Sequence, residues 1–150
     1  MDTGSDRRAD AESPERPLGE APLYLLRHAL RSYTAAWQET VRELTPPQYA
    51  ALRALRASPG LDQAALAETT GTDPATLTPL LARLEERGYV ARRIDPANRR
   101  RKLLRITDDG VRVLRRVAPL VATTEETVLG GLTDEQRTTF TDVLRRIARR

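Results

Sequence analysis

The sequence predicts a mainly α-helical chain with one small β-hairpin, and three observations carry that reading. Apolar residues recur at spacings of three and four through most of the chain. The periodicity changes to short strand-like runs only once, after Gly88. Aromatic residues make up only 4% of the chain while Ala, Leu, Arg and Thr dominate, a composition suited to helices packed through small and aliphatic side chains. At 150 residues the chain has the length of one domain with a real hydrophobic core.

Residues 1–19 are polar, charged and interrupted by Pro14 and Pro17, and are expected to form a disordered tail ahead of a folded unit over 20–150. From Pro22 the series Leu26, Leu30, Tyr33, Trp37, Val41 and Leu44 predicts a long first helix with one buried stripe. Thr45-Pro46-Pro47-Gln48 reads as a capping box that starts a second helix, with proline tolerated in the first turn, and Ser58-Pro59-Gly60 stops it. Asp62 can cap a short helix reaching about Thr70 and burying Leu66. Gly71-Thr72-Asp73 follows, and Pro74 at a first helical position starts another helix at once, running to Arg87 before Gly88 ends it. Two short helices joined by a tight glycine-containing turn are the pattern of a helix-turn-helix.

Residues 89–94 and 102–107 are strand-compatible, and Asp95-Pro96-Ala97-Asn98 between them is turn chemistry. The result is a hairpin whose tip carries Arg99, Arg100 and Arg101, so the helix-turn-helix is followed at once by a basic wing. Thr107 can cap a further helix with Val111, Leu114, Ala118 and Val121 along one side and Pro119 bending it. Thr133-Asp134-Glu135-Gln136 is a second capping box, opening a last helix with Phe140, Val143, Leu144 and Ile147 on one side. These helices outlast what a winged helix needs for its own core. Together with the first helix they imply a partner surface, and hence a homodimer.

Charge is distributed unevenly. Residues 1–20 carry six acids against three bases, whereas residues 83–105 carry nine bases against Glu85, Glu86 and Asp95. A local positive cluster of this kind suits a polyanion, because neutralised phosphates release counterions. The partner expected is double-stranded DNA, with the second helix of the pair in the major groove and the wing at the neighbouring minor groove. On that helix Leu77, Leu80, Leu81 and Leu84 share the core face. Ala75, Thr76, Pro79, Ala82 and Arg83 point away from it, with Thr78 at the boundary. The outward face offers methyl contacts for thymine, a threonine hydroxyl, and one arginine for a guanine edge or a phosphate.

Other classes have little support. Cys is absent, which excludes disulfides, thiolate metal sites and thiol redox sensing within this chain. The lone histidine, His28, has neither a nucleophile arrangement nor metal-ligand spacing around it, and no glycine-rich phosphate loop appears, so no catalytic residue, metal or cofactor is expected. The acid pairs Glu85-Glu86 and Glu125-Glu126 read as solvated helix faces. A non-specific architectural DNA binder is the remaining alternative, and dimeric geometry argues against it. No apolar run approaches the ~20 residues of a membrane span, and a secretory layout is missing at the N-terminus, so a cytoplasmic protein is expected.

Residues 73–107 also resemble a known family. Leu84-Glu85-Glu86-Arg87-Gly88-Tyr89-Val90 is similar to the end of the recognition helix in the MarR family of bacterial regulators. Asp95, Arg100 and Ile106-Thr107-Asp108-Asp109-Gly110 are similar to its wing and the segment after it. The resemblance extends over roughly 22–149. It implies a repressor that binds an inverted-repeat operator, with 45–107 as the winged helix-turn-helix and 20–44 and 108–150 as helices that interlock two chains. It also implies a bacterial cytoplasmic setting, on the nucleoid when bound to DNA. The family's second wing acid is Asn98 here, which leaves Asp95 alone to hold Arg100. Family members often bind anionic aromatic effectors between the dimer helices and the winged helix, and Tyr24, His28 and Arg31 share a face of the first helix that could line such a cleft. The run 76–81 is similar to the branch that senses organic hydroperoxides through a cysteine, a route closed to a chain without one.

Overall fold

The computed structural model describes residues 17–148, so the tail expected over 1–19 lies almost wholly outside the described residues. Its last part does not, and Leu18–Glu20 form a single 3₁₀ turn. The helices are α1 (Pro22–Thr40), α2 (Pro46–Ala57), α3 (Gln63–Thr70), α4 (Pro74–Glu86), α5 (Asp108–Leu129) and α6 (Asp134–Ala148). Between α4 and α5 lie β1 (Val90–Ile94) and β2 (Lys102–Ile106), paired antiparallel with Val90 opposite Ile106 and Ile94 opposite Lys102.

The helix boundaries follow the local chemistry. Thr45 and Gln48 close a reciprocal capping box at α2, with Pro46 at its start. Asp62 accepts the Ala65 N–H at 2.9 Å and Asp73 accepts the Thr76 N–H at 2.9 Å, capping the two helices of the helix-turn-helix. Between them Gly71 adopts φ +63°, a left-handed conformation that a side chain would strain. Thr133 and Gln136 form the second reciprocal box, ahead of α6.

One core joins the elements. Leu52 and Leu55 of α2, Leu66 of α3, Leu77, Leu81 and Leu84 of α4, Leu104 of β2, and Val113 and Val117 of α5 are fully buried together with Trp37 of α1. The Leu104 N–H donates to the Leu61 carbonyl at 2.7 Å, tying the hairpin to the segment before α3. The Thr107 hydroxyl donates to the Gly88 carbonyl at 2.6 Å and accepts the Gly110 N–H at 3.1 Å, so one side chain joins the turn after α4 to the start of α5.

Three expectations are corrected. The first helix stops at Thr40 and does not reach Leu44. The Trp37 indole N–H donates to the Leu44 carbonyl at 2.7 Å, and the residue before Pro46 must be extended, so Val41 and Leu44 reach the core from a loop. The stripe of α1 is buried only in its C-terminal half, since Leu26 and Leu30 are 41% and 60% exposed. On α5 the buried line is Gly110, Val113, Leu114, Val117 and Thr124, while Ala118 faces outward. Leu114 and Val121 keep to the stripe read in the sequence, one buried and the other packed against the core, whereas Val117 takes the buried place expected of Ala118. The helix continues through Pro119.

Gly110 is a steric necessity. A Cβ there would overlap the Tyr89 carbonyl and crowd the Ile106 side chain. Gly110→Ala is expected to cost about 1–3 kcal/mol through overpacking, read as a lower Tm, despite alanine's better helix propensity.

Candidate DNA-binding surface

Helix α4 has two unlike sides. Leu77, Leu81 and Leu84 have no exposed surface and Leu80 is 8% exposed, whereas Ala75, Thr76, Thr78, Pro79, Ala82 and Arg83 are all exposed. Burial thus orients the candidate contact residues outward as a set. A shallow cavity of about 420 Å³ lies between this face and the start of α2, lined by Thr45, Pro47, Gln48, Ala75, Thr76, Pro79, Leu80 and Arg83. Pro79 sits inside the helix with no N–H to give the Ala75 carbonyl. Asp73 has its carboxyl lowered below the ordinary aspartate value, first by the Thr76 hydroxyl and then by the Thr76 N–H.

The hairpin places the wing residues. The 95–101 turn is closed by the Asp95 N–H donating to the Arg101 carbonyl at 2.9 Å and the Arg101 N–H to the Asn98 carbonyl at 2.8 Å. The Asn98 side chain accepts the Arg100 N–H at 3.1 Å, and Asp95 accepts the Ala97 N–H at 2.9 Å. Asn98 thus shapes the turn by accepting from the backbone, which an amide does as well as a carboxylate.

The ion pairing differs from the expected one. Asp95 faces Arg101, at 3.7 Å, and not Arg100. Arg101 folds back further, its Nε donating to Asp62 at 2.7 Å. Arg101, the last residue before β2, reaches back to the start of α3, while Arg100 in the turn stays exposed. Among the described residues Arg99 and Arg100 have no carboxylate partner, so the tip keeps two uncompensated charges and Arg101 serves as a tether.

Several supporting residues were not singled out as site residues from the sequence. Glu85, read as a solvated acid, accepts from Arg92 Nε at 2.7 Å. Arg92 Nη1 also donates to Gln63 Oε1 at 3.2 Å, and Gln63 Nε2 donates to the Thr78 hydroxyl at 2.8 Å. No pattern in the sequence announces pairs separated by 29 and 15 residues. On the far side of the helix-turn-helix, Arg116 of α5 grips Glu43 through two hydrogen bonds at 2.8 and 2.5 Å, and Arg87 donates to the Glu43 carbonyl at 2.6 Å.

Tyr24 and His28 pack ring against ring at 4.5 Å on an exposed stretch of α1, with Arg31 exposed beyond them. They line neither this cavity nor a second one of about 560 Å³ between α2 and α5, whose walls are Tyr49, Arg53, Arg56, Ala57, Leu114, Arg115 and Ala118. Among the described residues no three His, Cys, Asp or Glu side chains are grouped to hold a metal ion, and no helix is long and apolar enough to cross a membrane.

A helix-turn-helix with an outward-facing second helix and a basic β-hairpin beside it defines a winged-helix transcriptional regulator. The chain belongs to the MarR family, whose sequence profile matches residues 44–102. It is 38% identical over 125 residues to the transcriptional regulator HosA of Escherichia coli O111:H-, covering 83% of this chain and 93% of that protein. Among solved structures it is similar to the PcaV regulator of Streptomyces coelicolor in complex with its natural ligand, with 38% identity, a TM-score of 0.84, and coverage of 89% of this chain and 95% of that one. It is also similar to the repressor CouR bound to a 23-mer DNA duplex, with 33% identity, a TM-score of 0.81, and coverage of 87% and 94%.

The Asp62 carboxyl lies below its ordinary value, first because it accepts the Ala65 N–H and next because it accepts from Arg101. A depressed folded-state value contributes stability above the unfolded value, and that contribution disappears as pH falls through the folded one. Asp62→Asn keeps a capping oxygen but loses the Arg101 ion pair, whereas Asp62→Ala loses both. Near neutral pH, melting temperatures are expected to fall in the order wild type, Asp62→Asn, Asp62→Ala. The differences from wild type should shrink once the pH drops below the ordinary aspartate value of 3.8 and then through the lower folded value.

Proposed function

We propose that this regulator is a homodimeric repressor that binds double-stranded DNA sequence-specifically at an inverted-repeat operator and is released by a small effector. It acts in the bacterial cytoplasm, on the nucleoid when bound, as a binding protein without catalytic activity. The observation that carries the reading is the exposed face of α4 beside the uncompensated Arg99 and Arg100 of the wing. CouR, solved on a DNA duplex, supports it as a relative of the same family.

The division of labour follows from position. Arg83 is the donor for a guanine edge or phosphate, Thr76 and Thr78 supply hydroxyls, and Ala75 and Pro79 supply apolar contact to thymine methyls. Arg99 and Arg100 supply affinity through phosphates and the minor groove, whose walls look alike from site to site. Arg101, expected as a third contact of this kind, spends its charge on Asp62 and Asp95 and positions the other two.

Dimerisation rests on surface that one chain leaves unburied. Leu23, Leu26 and Leu30 of α1 and Phe140, Val143, Leu144 and Ile147 of α6 are all at least 36% exposed. Apolar surface on that scale is what an obligate homodimer covers. The effector site is the cleft between α2 and α5, where Arg53, Arg56 and Arg115 gather around Tyr49, Leu114 and Ala118. Guanidinium groups over an apolar floor suit a small anionic aromatic molecule. The natural ligand carried by PcaV supports an effector of some kind. Tyr24, His28 and Arg31 join the site only if α1 of the second chain brings them to it.

Sedimentation equilibrium at micromolar concentration should give a dimer. Sequencing of retained genomic fragments should give inverted repeats with half-site centres one helical turn, ~10 bp, apart. A monomer, or sites with only direct repeats, would contradict the symmetric reading.

Mutations should separate the two kinds of contact. Arg100→Ala should weaken binding to operator and scrambled duplexes alike and flatten the salt dependence by about one unit of slope per lost phosphate contact. Arg83→Ala and Thr76→Ala should instead change the ranking of operator variants, each good base contact being worth roughly 1–3 kcal/mol. Paired titrations at two salt concentrations measure both, and the opposite pattern would reverse the assignment.

A further inference from the structure

We infer that Gln63, the first residue of α3, is a specificity-determining positioning residue that fixes the hydrogen-bond polarity of Thr78 on the recognition helix. The inference rests on the proposed groove-facing role of α4.

The argument runs along a chain of four side chains whose donors and acceptors admit one arrangement. Glu85 can only accept, and it takes Arg92 Nε at 2.7 Å. Arg92 can only donate, and its Nη1 meets the Gln63 amide at 3.2 Å, so the amide must present its oxygen there. The amide's NH₂ group is therefore turned to the Thr78 hydroxyl, 2.8 Å away, and the hydroxyl oxygen accepts from it. The hydroxyl proton goes to the Pro74 carbonyl at 3.0 Å, the same i−4 bond that Thr69 of α3 makes to Ala65. Flipping the amide would set NH₂ against a guanidinium, so the ion pair at Glu85 fixes the sense of every bond after it.

The consequence for recognition is specific. With its proton committed to Pro74 and one lone pair to Gln63, Thr78 has a single acceptor site left for a base. In the major groove the complementary edges are the amino groups of adenine and cytosine, whereas the O4 of thymine and the O6 and N7 of guanine are acceptors. An unlocked threonine hydroxyl pairs with either kind. The Gln63 donor and the Pro74 acceptor together therefore turn an ambivalent residue into a one-way reader.

The test measures equilibrium binding of the full-length protein to an operator series in which each half-site position carries all four base pairs. Thr78→Val identifies the position at which the hydroxyl is read. Gln63→Leu should reduce the preference for adenine or cytosine at that same position by roughly three- to tenfold, the worth of one net hydrogen bond, while preferences elsewhere stay as in wild type. Gln63→Glu keeps an oxygen for Arg92, preserving that tether, but offers Thr78 no donor, and should relax the same position. If Gln63→Leu and Gln63→Glu weaken all operators equally and leave the preferences intact, the residue is merely structural and the inference fails. If Thr78→Val changes no position, the inference fails together with the reading of Thr78 as a base contact, while the Thr76 and Arg83 measurements still judge the rest of the helix face.

Discussion

The four leucines of α4 decide what the protein can present. A helix that buries positions 77, 80, 81 and 84 must expose 75, 76, 79, 82 and 83, because the turn is 3.6 residues. Rotating α4 by a single residue would bring several of these leucines into water, at roughly 1.5–3 kcal/mol for each one fully exposed. The direction of the outward face is thus set by the core and needs no contact with DNA. That face carries Thr76, Thr78 and a single charge, Arg83, among Ala75, Pro79 and Ala82. Further charge comes from its neighbours.

Those neighbours supply it by sorting the arginines. Arg92 and Arg101 of the hairpin are paired to Glu85 and to Asp62 with Asp95, and both pairs are partly exposed, so each contributes little to stability. Their effect is geometric. They hold β1 against α4 and the wing turn against the start of α3, which leaves Arg99 and Arg100 as the charges at the tip without a carboxylate. A basic cluster in a sequence therefore contains two populations, tethers and free charges. Net charge counts them alike, whereas the ion pairs separate them.

Much of the architecture was legible in the sequence because it rests on local chemistry. The capping boxes at Thr45 and Thr133, the caps at Asp62, Asp73 and Thr107, the left-handed Gly71 and the leucine stripe of α4 each involve residues within four positions of one another. What was misread depends on distant partners. The end of α1 was overrun because Trp37 reaches across seven residues to Leu44, drawing an apolar pair into the core from a loop. The stripe of α5 was read correctly at Leu114 and Val121 but not at Ala118, because α1 and α2, and not α5 itself, define its buried side. The partner of Asp95 was misassigned because neighbouring arginines in a turn look alike until the fold brings one of them to the Asp62 and Asp95 carboxylates. The network through Gln63 was invisible for the same reason: its members lie on α3, α4 and β1, and glutamine carries no charge to advertise a role.

The reader is also tied to the helices that would join two chains. Thr107 links the Gly88 carbonyl, just after α4, to the first turn of α5, and Gly110 lets α5 approach the Tyr89 carbonyl as closely as it does. Arg116, further along α5, holds the Glu43 carboxylate, while Arg87 at the end of α4 holds the Glu43 carbonyl. The Glu43 carboxyl accordingly lies below its ordinary value, chiefly through the Arg116 hydrogen bonds. The connection between α5 and α4 therefore has two attachments, one through the β-hairpin ends and one through the α1–α2 loop. With a single attachment α4 could pivot while α5 moved. With two, a tilt of α5 against α2 would strain both links to α4. The cleft lined by Arg53, Arg56 and Arg115 lies between those same two helices. Under the proposed function, an effector in that cleft would bear on the angle between α2 and α5, the angle at which both attachments to α4 are anchored.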